Sequence, residues 1–121
     1  TIATTGDSTD FGDLTVTSSG CAGSTGHSDA RAVIATADAT IGYVTIATTG
    51  DATDFGDLVS ARGTQGVGNG TNCTWAGGRV GGSTVDQIDY IPNISSTGDA
   101  SDFGNLTGVR EQAGAGSGGS L

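Results

Sequence analysis

The sequence contains no lysine and no methionine, and its 121 residues include only one proline, one histidine and one glutamate. Because lysine is missing, 13 acidic residues face only four arginines, and the net charge is −9. Such an acidic surface repels phosphate backbones and anionic lipids, so we expect no nucleic-acid partner. No apolar run approaches the roughly 20 residues that a membrane-spanning helix needs, so we expect no membrane insertion.

Aromatic residues are also scarce, at 5% of the chain, whereas 23 residues are glycine. Glycine is unfavourable inside helices, and the many threonines and serines favour strands, turns and caps. The composition therefore predicts an all-β, turn-rich fold with a core of small apolar side chains. Low hydrophobicity is also typical of disorder, but the regular motifs and the β-branched run at 43–46 favour an ordered chain.

The two cysteines, Cys21 and Cys73, match no metal-binding spacing and no Cys-x-x-Cys motif. One disulfide and two free thiols are both compatible with the sequence, depending on the redox compartment.

A motif of 14 residues occurs three times. TIATTGDSTDFGDL at 1–14 recurs as TIATTGDATDFGDL at 45–58 and as NISSTGDASDFGNL at 93–106. We call these segments box 1, box 2 and box 3; they begin 44 and 48 residues apart. This period predicts a repeat architecture with units 1–44, 45–92 and 93–121, the last incomplete. Because the sequence opens inside a box, we expect it to be part of a longer chain.

Within each unit the pattern predicts short strands joined by glycine-rich loops. Residues 43–48 alternate in character as a half-buried strand does, and the Thr-Gly-Asp sequence of the box predicts a turn. Further strands are predicted at 58–62, 32–35 and 74–78, and outward-facing Gly/Ser-rich loops at 17–30 and 63–73. Three or four short strands in such a unit are the content of one propeller blade.

We therefore predict tandem propeller-like blades, with a β-solenoid or a stacked fibre as the alternative. One small sheet cannot bury both of its faces, so blades must pack on their neighbours. The large apolar residues of the boxes are the expected anchors: Phe11, Leu14, Phe55, Leu58, Phe103 and Leu106.

The boxes are rich in carboxylates, and a calcium site formed by Asp51, Asp54 and Asp57 is one hypothesis. Their spacing is not that of an EF-hand loop, and box 3 has Asn105 in place of the last carboxylate. Asx-turns and soluble edges explain the aspartates without a metal, so we predict no cofactor. Arg62 and Arg110 follow the box leucines and are predicted to be solvated, with an ion pair between blades as the alternative.

No catalytic motif accompanies the single histidine, His27, and no serine or cysteine lies in a recognisable nucleophile motif near it. Three nearly identical boxes indicate a repeated structural duty, whereas a catalytic site is normally singular. We predict that the protein is not an enzyme.

The three boxes and the segment QIDYI at 87–91 resemble the kelch-like repeat proteins of marine phages and cyanophages. Gly77 and Gly78, after Trp75, are similar to the kelch double glycine. The resemblance implies a propeller-type virion structural protein, such as a tail-fibre or surface-adhesion module, outside the cell. Its implied partners are further copies of itself or other virion proteins. The alternative is an extracellular, lectin-like propeller or filament subunit that binds host-surface glycans through Trp75, Tyr43 and Tyr90.

Overall fold

The computed structural model describes residues 6–25 and 31–111, and this part of the chain is all-β, as predicted. It contains nine strands in two antiparallel sheets. None of these residues forms a helix long and apolar enough to cross a membrane. The first sheet consists of β1 (Cys21–Thr25), β2 (Arg31–Thr36), β3 (Thr40–Thr45) and β4 (Thr53–Asp57). The second consists of β5 (Gly63–Gly68), β6 (Cys73–Val80), β7 (Ser83–Thr84), β8 (Gln87–Ile91) and β9 (Ser101–Asn105).

The two sheets are built alike. Their strand orders are β1-β2-β3-β4 and β5-β6-β8-β9, with the short strand β7 paired to β6. The last pair of each sheet has a register shift at a corresponding place, between Ile41 and Gly42 and between Ile88 and Asp89. Such an irregularity bends and twists the strand that carries it. Both are open sheets: the described residues form no closed barrel or propeller.

The boxes themselves supply the last strand of each sheet. The sequence predicted a turn there and a strand at 58–62, but β4 and β9 lie within boxes 2 and 3, and 58–62 is not a strand. The tight turn comes earlier, where Thr48 N donates to Thr45 O at 3.1 Å. The box strands are mostly exposed and carry a glycine, so they are held by the backbone ladder of the neighbouring strand.

The Gly/Ser-rich segments are not simply loops. β5 lies within the predicted loop 63–73, and β1 lies within the predicted loop 17–30. These strands lack apolar alternation, and their pairing partners β6 and β2 determine their conformation. The predictions of strands at 32–35 and 74–78 are confirmed, because these residues lie within β2 and β6.

A single small apolar core connects the two sheets. Arg31, on β2, also links the first sheet to the connection between β8 and β9: its Nη1 donates to the carbonyls of Ile94 at 3.1 Å and Ser95 at 3.0 Å. The buried apolar residues are Val33, Ala35, Ile41, Phe55, Leu58, Cys73, Trp75, Ile91, Ile94 and Ala100.

The expected box anchors do not share one environment. Phe55 is 2% exposed, whereas Phe11 is 37% and Phe103 is 65% exposed. The leucines differ in the same way, since Leu58 is buried and Leu14 is exposed, with Leu106 between them. Of the six expected anchors, only Phe55 and Leu58 of the middle box belong to the buried core.

This difference in burial predicts that removing the ring of Phe55 and removing the ring of Phe103 will destabilise the fold unequally. Phe55→Ala should lower the free energy of unfolding by about 3–5 kcal/mol, as deletion of a buried aromatic ring does. Phe103→Ala, the matched change in box 3, should cost less than about 1.5 kcal/mol because its ring is mostly solvated. Urea denaturation of both variants measures the two values, and equal losses would contradict the burial described here.

Candidate functional site

The most distinctive contact in the molecule joins box 1 to box 2. Gly50 N donates to Phe11 O at 2.8 Å, and Ala52 N donates to Asp13 O at 2.8 Å. In return, Asp13 N donates to the Asp51 carboxylate, Oδ1, at 3.0 Å. The Gly-Asp segment of box 2 therefore lies against the Phe-Gly-Asp segment of box 1.

Box 2 is joined to box 3 by the same three bonds. Gly98 N donates to Phe55 O at 2.8 Å, and Ala100 N donates to Asp57 O at 2.8 Å. Asp57 N donates to Asp99 Oδ1 at 3.1 Å. We call each set of three bonds a box joint; in it the Gly-Asp segment of one box binds the Phe-Gly-Asp segment, or receiving segment, of the box before.

The glycine of the receiving segment makes this close approach possible. Gly12 and Gly56 have φ values of +146° and +151°, a conformation that residues with a side chain rarely adopt. A Cβ added to Gly12 would collide with the carbonyl oxygen of Gly50, and one added to Gly56 would collide with that of Gly98. Glycine is thus required at these two positions by both backbone conformation and space.

The box aspartates have identifiable hydrogen-bond roles. Asp51 and Asp99 accept the backbone N–H in the joints. Asp10 and Asp102 accept from the N–H two residues on, at 3.2 and 2.9 Å, as in an Asx-turn. In the part of the chain that the structure describes, no three or more His, Cys, Asp or Glu side chains form a group that could hold a metal ion.

The structure shows how the three aspartates of the calcium hypothesis are used. Of Asp51, Asp54 and Asp57, the first uses its carboxylate in the joint, and the third contributes its backbone N–H and C=O to the next joint. The structure does not bring the three carboxylates together as one metal-binding group within the described residues.

Box 3 differs from box 2 at the end of the receiving segment, where Asn105 replaces Asp57. Asn105 Nδ2 donates to Asp86 Oδ1 at 3.0 Å. The residue that corresponds to Asp86 beside box 2 is Ala39, since each of the two accepts the N–H of its box leucine. A carboxylate at 105 would meet the carboxylate of Asp86, so the amide replaces a repulsion by a hydrogen bond.

Each box phenylalanine that belongs to a described sheet packs on a tyrosine of that sheet. The rings of Phe55 and Tyr43 meet edge to face, with centroids 6.1 Å apart. Those of Phe103 and Tyr90 are tilted, at 5.5 Å. Among the residues that the structure describes, Phe55 has both a tyrosine and a bound Gly-Asp segment, Phe103 has only the tyrosine, and Phe11 has only the bound segment. This explains why Phe55 alone is fully buried.

The aromatic residues predicted to contact a glycan have internal roles. Trp75 is 0% exposed, so the prediction that it forms a surface contact is wrong. Alternation along β6 directs Cys73 and Trp75 to the core. Tyr43 and Tyr90 are half-buried: the guanidinium of Arg31 lies 4.3 Å from the Tyr43 ring centroid, and Asn72 Nδ2 lies 3.2 Å from the Tyr90 hydroxyl.

Arg62, predicted to be solvated, is buried in the second sheet. Its Nη1 lies 2.8 Å from Asp89 Oδ2, and both side chains are 0% exposed. Arg62 Nε donates to Gly77 O at 2.9 Å, and Nη2 donates to Trp75 O at 3.4 Å. The interpretation as a surface arginine is wrong because the segment before β5 turns this side chain into the sheet. Arg110, its counterpart after box 3, is exposed.

The partner carboxylate is equally well hydrogen-bonded. Asp89 Oδ2 also accepts the backbone N–H of Val59 at 3.0 Å, and its Oδ1 accepts from Gln87 Nε2 at 2.9 Å. A buried ion pair of this kind is tolerated because its polar atoms have partners, and removing either member leaves a buried charge uncompensated.

A comparison of the two units in the sequence distinguishes the positions of this pair. Ser18 stands where Arg62 does relative to the box leucine, and Gly42 occupies the place in β3 that Asp89 occupies in β8. The first sheet thus lacks both members, and the second has both.

The described residues offer little that resembles a reaction centre. A cleft of about 600 Å³ is lined by residues 12–18, and Asp13 is the one titratable side chain among them. Cys73 is buried in the core. His27 and the side chain of Cys21 lie outside the described part of the structure.

No protein-family model matches the chain, and a search of curated proteins found no match.

The buried pair leads to a double-mutant prediction. Arg62→Ser and Asp89→Gly, which introduce the residues of the first sheet, should each lower the free energy of unfolding by about 3–5 kcal/mol. The double variant should lose at least about 1 kcal/mol less than the sum, because no unpaired charge remains. Urea denaturation of the three variants gives the coupling energy.

Arg79→Ser is the control for this cycle. Arg79 pairs with Glu111 at 3.1 Å, but both side chains are 51% exposed, so its loss should cost less than about 1 kcal/mol. Strictly additive losses at Arg62 and Asp89 would show that the two side chains act independently.

Proposed function

We propose that this chain is a non-enzymatic structural repeat module whose two antiparallel sheets are propeller-like blades held in series by box joints. The observation that carries the proposal is that the same three hydrogen bonds form twice, between boxes 1 and 2 and between boxes 2 and 3. A contact that forms once can belong to one particular binding or catalytic site. A contact that repeats with the same atoms is typical of the assembly of repeated units.

The chemistry of the joint supports a mechanical role. Five of the six partner atoms in each joint are backbone N–H or C=O groups, and the sixth is an aspartate oxygen that accepts an N–H. Hydrogen bonds between such groups fix geometry, and each contributes about 1 kcal/mol to the stability of the fold, more where the acceptor is charged. Nothing in this set is activated as a nucleophile or as a general base.

The joint also accounts for which box residues vary. The residue after the Gly-Asp segment is Ser8, Ala52 or Ala100, and in the two joints described it donates only its backbone N–H. The glycine of the receiving segment is the same in all three boxes and has a positive φ in each, and at Gly12 and Gly56 the close approach of the next box also leaves no room for a side chain. Sequence identity in the boxes thus follows from contact geometry.

The biological setting that we propose is a phage virion, in a tail fibre or a surface-adhesion module. This part of the proposal is supported by the resemblance of the boxes and of QIDYI to kelch-like phage proteins. A joint that can be repeated unit by unit suits an elongated particle protein, since each unit contacts its neighbours only. The glycan-binding alternative loses its main candidate contact, because Trp75 is buried.

Two glycine substitutions test the structural role. Gly56 and Gly104 occupy the same place in boxes 2 and 3, with φ values of +151° and +142°, but only Gly56 lies under a carbonyl of the next box. Gly104→Ala should therefore cost about 1–3 kcal/mol, from backbone strain alone. Gly56→Ala should cost at least about 2 kcal/mol more, because the joint must open.

Urea denaturation measures both losses, and hydrogen exchange at the amides of Gly98 and Ala100 reports the opening directly. We expect faster exchange at these two amides in Gly56→Ala and unchanged exchange in Gly104→Ala. Equal destabilisation, with both amides still protected, would overturn the joint as the structural basis of the module.

The virion assignment has its own test. Mass spectrometry of particles purified from the source of the sequence should detect peptides of this chain together with tail or surface proteins. Detection in the host fraction alone would contradict the assignment and leave the structural role to be judged by the glycine variants.

A further inference from the structure

The connection between β5 and β6 contains the dipeptide Asn69-Gly70, and no other asparagine of the chain precedes a glycine. The three remaining asparagines precede cysteine, isoleucine and leucine. Glycine has no Cβ beside its backbone nitrogen, so other groups can approach that nitrogen more closely than in any other residue. The side chain of Asn69 is therefore followed by the least hindered amide nitrogen that a protein backbone offers.

The hairpin holds the Asn69 side chain against its own backbone. Asn69 Oδ1 accepts the N–H of Thr71 at 3.0 Å and the N–H of Asn72 at 3.1 Å, as in an Asx-turn. Because both donors follow Gly70 in the sequence, these bonds bring the side chain back alongside the Gly70 peptide, where φ is +95°. Asn69 is also exposed, so water has access to it.

From this arrangement we infer that Asn69 is a self-modification site, at which the side-chain amide closes on Gly70 N to form a succinimide. Hydrolysis of the ring then gives aspartate or isoaspartate at position 69. The only co-reactant is water. We further infer that the isoaspartyl product loosens the attachment of box 3, because the hairpin tip that carries Asn69 binds that box.

The reaction is balanced by the chain and the solvent alone. Gly70 N gives its proton to a solvent base and forms a bond to Asn69 Cγ, the bond from Cγ to Nδ2 breaks, and ammonia leaves. Water then opens the five-membered ring in one of two ways. Breaking the bond between Gly70 N and Cγ gives aspartate. Breaking the bond between Gly70 N and the main-chain carbonyl carbon gives isoaspartate, in which the main chain runs through Cβ and Cγ.

The two hydrogen bonds to Asn69 Oδ1 favour the first step. Attack on Cγ moves negative charge onto Oδ1, and the N–H groups of Thr71 and Asn72 already point at that oxygen. Donors that are in place before the charge develops stabilise it, as in an oxyanion hole. We therefore expect the folded hairpin to promote ring closure.

Asn93 is the matched comparison within the same chain. Its Oδ1 accepts the N–H of Ser95 at 2.9 Å, so it too forms an Asx-turn, and it is also exposed. Its neighbour, however, is Ile94, which is 0% exposed and whose N–H donates to Thr71 O at 2.8 Å. A β-branched side chain and an engaged N–H hinder the attack that glycine permits. Asn69 should therefore react much faster than Asn93.

The hydrogen bond between Thr71 O and Ile94 N connects the reaction to box 3. Asn69 N donates to Asn72 O at 3.2 Å and closes the hairpin whose tip presents the Thr71 carbonyl. An isoaspartate lengthens the main chain within this closed turn, so Thr71 should be displaced and its bond to Ile94 weakened. An aspartate leaves the main chain unchanged and can accept the same two N–H groups with a full charge, so it should preserve the bond.

Mass spectrometry of the whole chain after incubation in mildly alkaline buffer measures the reaction. Denaturation and cleavage after arginine give the peptides 63–79 and 80–110, which separate Asn69 from Asn93, and fragmentation separates Asn69 from Asn72. Amide-to-acid conversion at Asn69 should be at least about tenfold faster than at Asn93, which corresponds to a modest difference in activation free energy. An isoaspartyl methyltransferase should label the same peptide with the same time course.

The same measurement in urea isolates the contribution of the fold. Asn69 should react at least as fast in the folded chain as in the unfolded one. Asn69→Gln is the control for the mechanism: it retains the amide but cannot form a five-membered ring, so conversion at this position should stop. A smaller ratio between Asn69 and Asn93, slower reaction in the folded chain, or conversion of the Asn69→Gln variant at the parent rate would overturn the modification site.

Hydrogen exchange at the amide of Ile94 tests the consequence for box 3. The isoaspartyl fraction, separated by chromatography after incubation, should exchange this amide faster than the parent chain does. The Asn69→Asp variant, which represents the other product, should exchange it as slowly as the parent. Equal protection of Ile94 in all three would overturn the link to box 3. The chemistry of Asn69 is independent of the box joints, so these results and the glycine variants of the proposed function can fail separately.

Discussion

The approach of one box backbone to the glycine of another is the constraint on which the arrangement of this molecule depends. A carbonyl oxygen of each bound Gly-Asp segment occupies the space that a Cβ of the receiving glycine would need. Gly12 and Gly56 therefore allow three hydrogen bonds to form where any other residue would keep the boxes apart. Because β4 and β9 lie within boxes 2 and 3, each joint fixes the position of a sheet edge.

The same constraint explains how a chain with few aromatic residues maintains its fold. The apolar core is small, and specificity comes from directional contacts: the box joints, the stacking of Arg31 on Tyr43 and the buried pair of Arg62 and Asp89. The buried pair lies in the second sheet only, where its polar atoms reach backbone carbonyls and amides. Fully partnered polar groups can specify a unique packing where large apolar side chains are scarce.

Much of the fold could be predicted from the sequence, but the partners of the boxes could not. The all-β class and the strands at 32–35 and 74–78 followed from composition and apolar pattern, and both are confirmed. The sequence predicts loops where β1 and β5 lie, because their small polar residues lack alternation and are ordered by the neighbouring strands. The sequence predicts a solvated Arg62 because proximity to acidic loops suggests exposure, whereas the side chain is buried. The sequence predicts Phe and Leu anchors in the boxes, but it does not predict the backbone hydrogen bonds between boxes, because such bonds leave no side-chain pattern.

The most direct test of the account is a measurement of the joint hydrogen bonds themselves. In solution NMR, a scalar coupling across a hydrogen bond identifies the donor nitrogen and the acceptor carbonyl together. The account predicts such couplings from Gly50 N to the carbonyl of Phe11 and from Gly98 N to the carbonyl of Phe55, of similar size. Finding neither coupling, with both amides exchanging freely with water, would contradict the claim that the boxes are joined in this way.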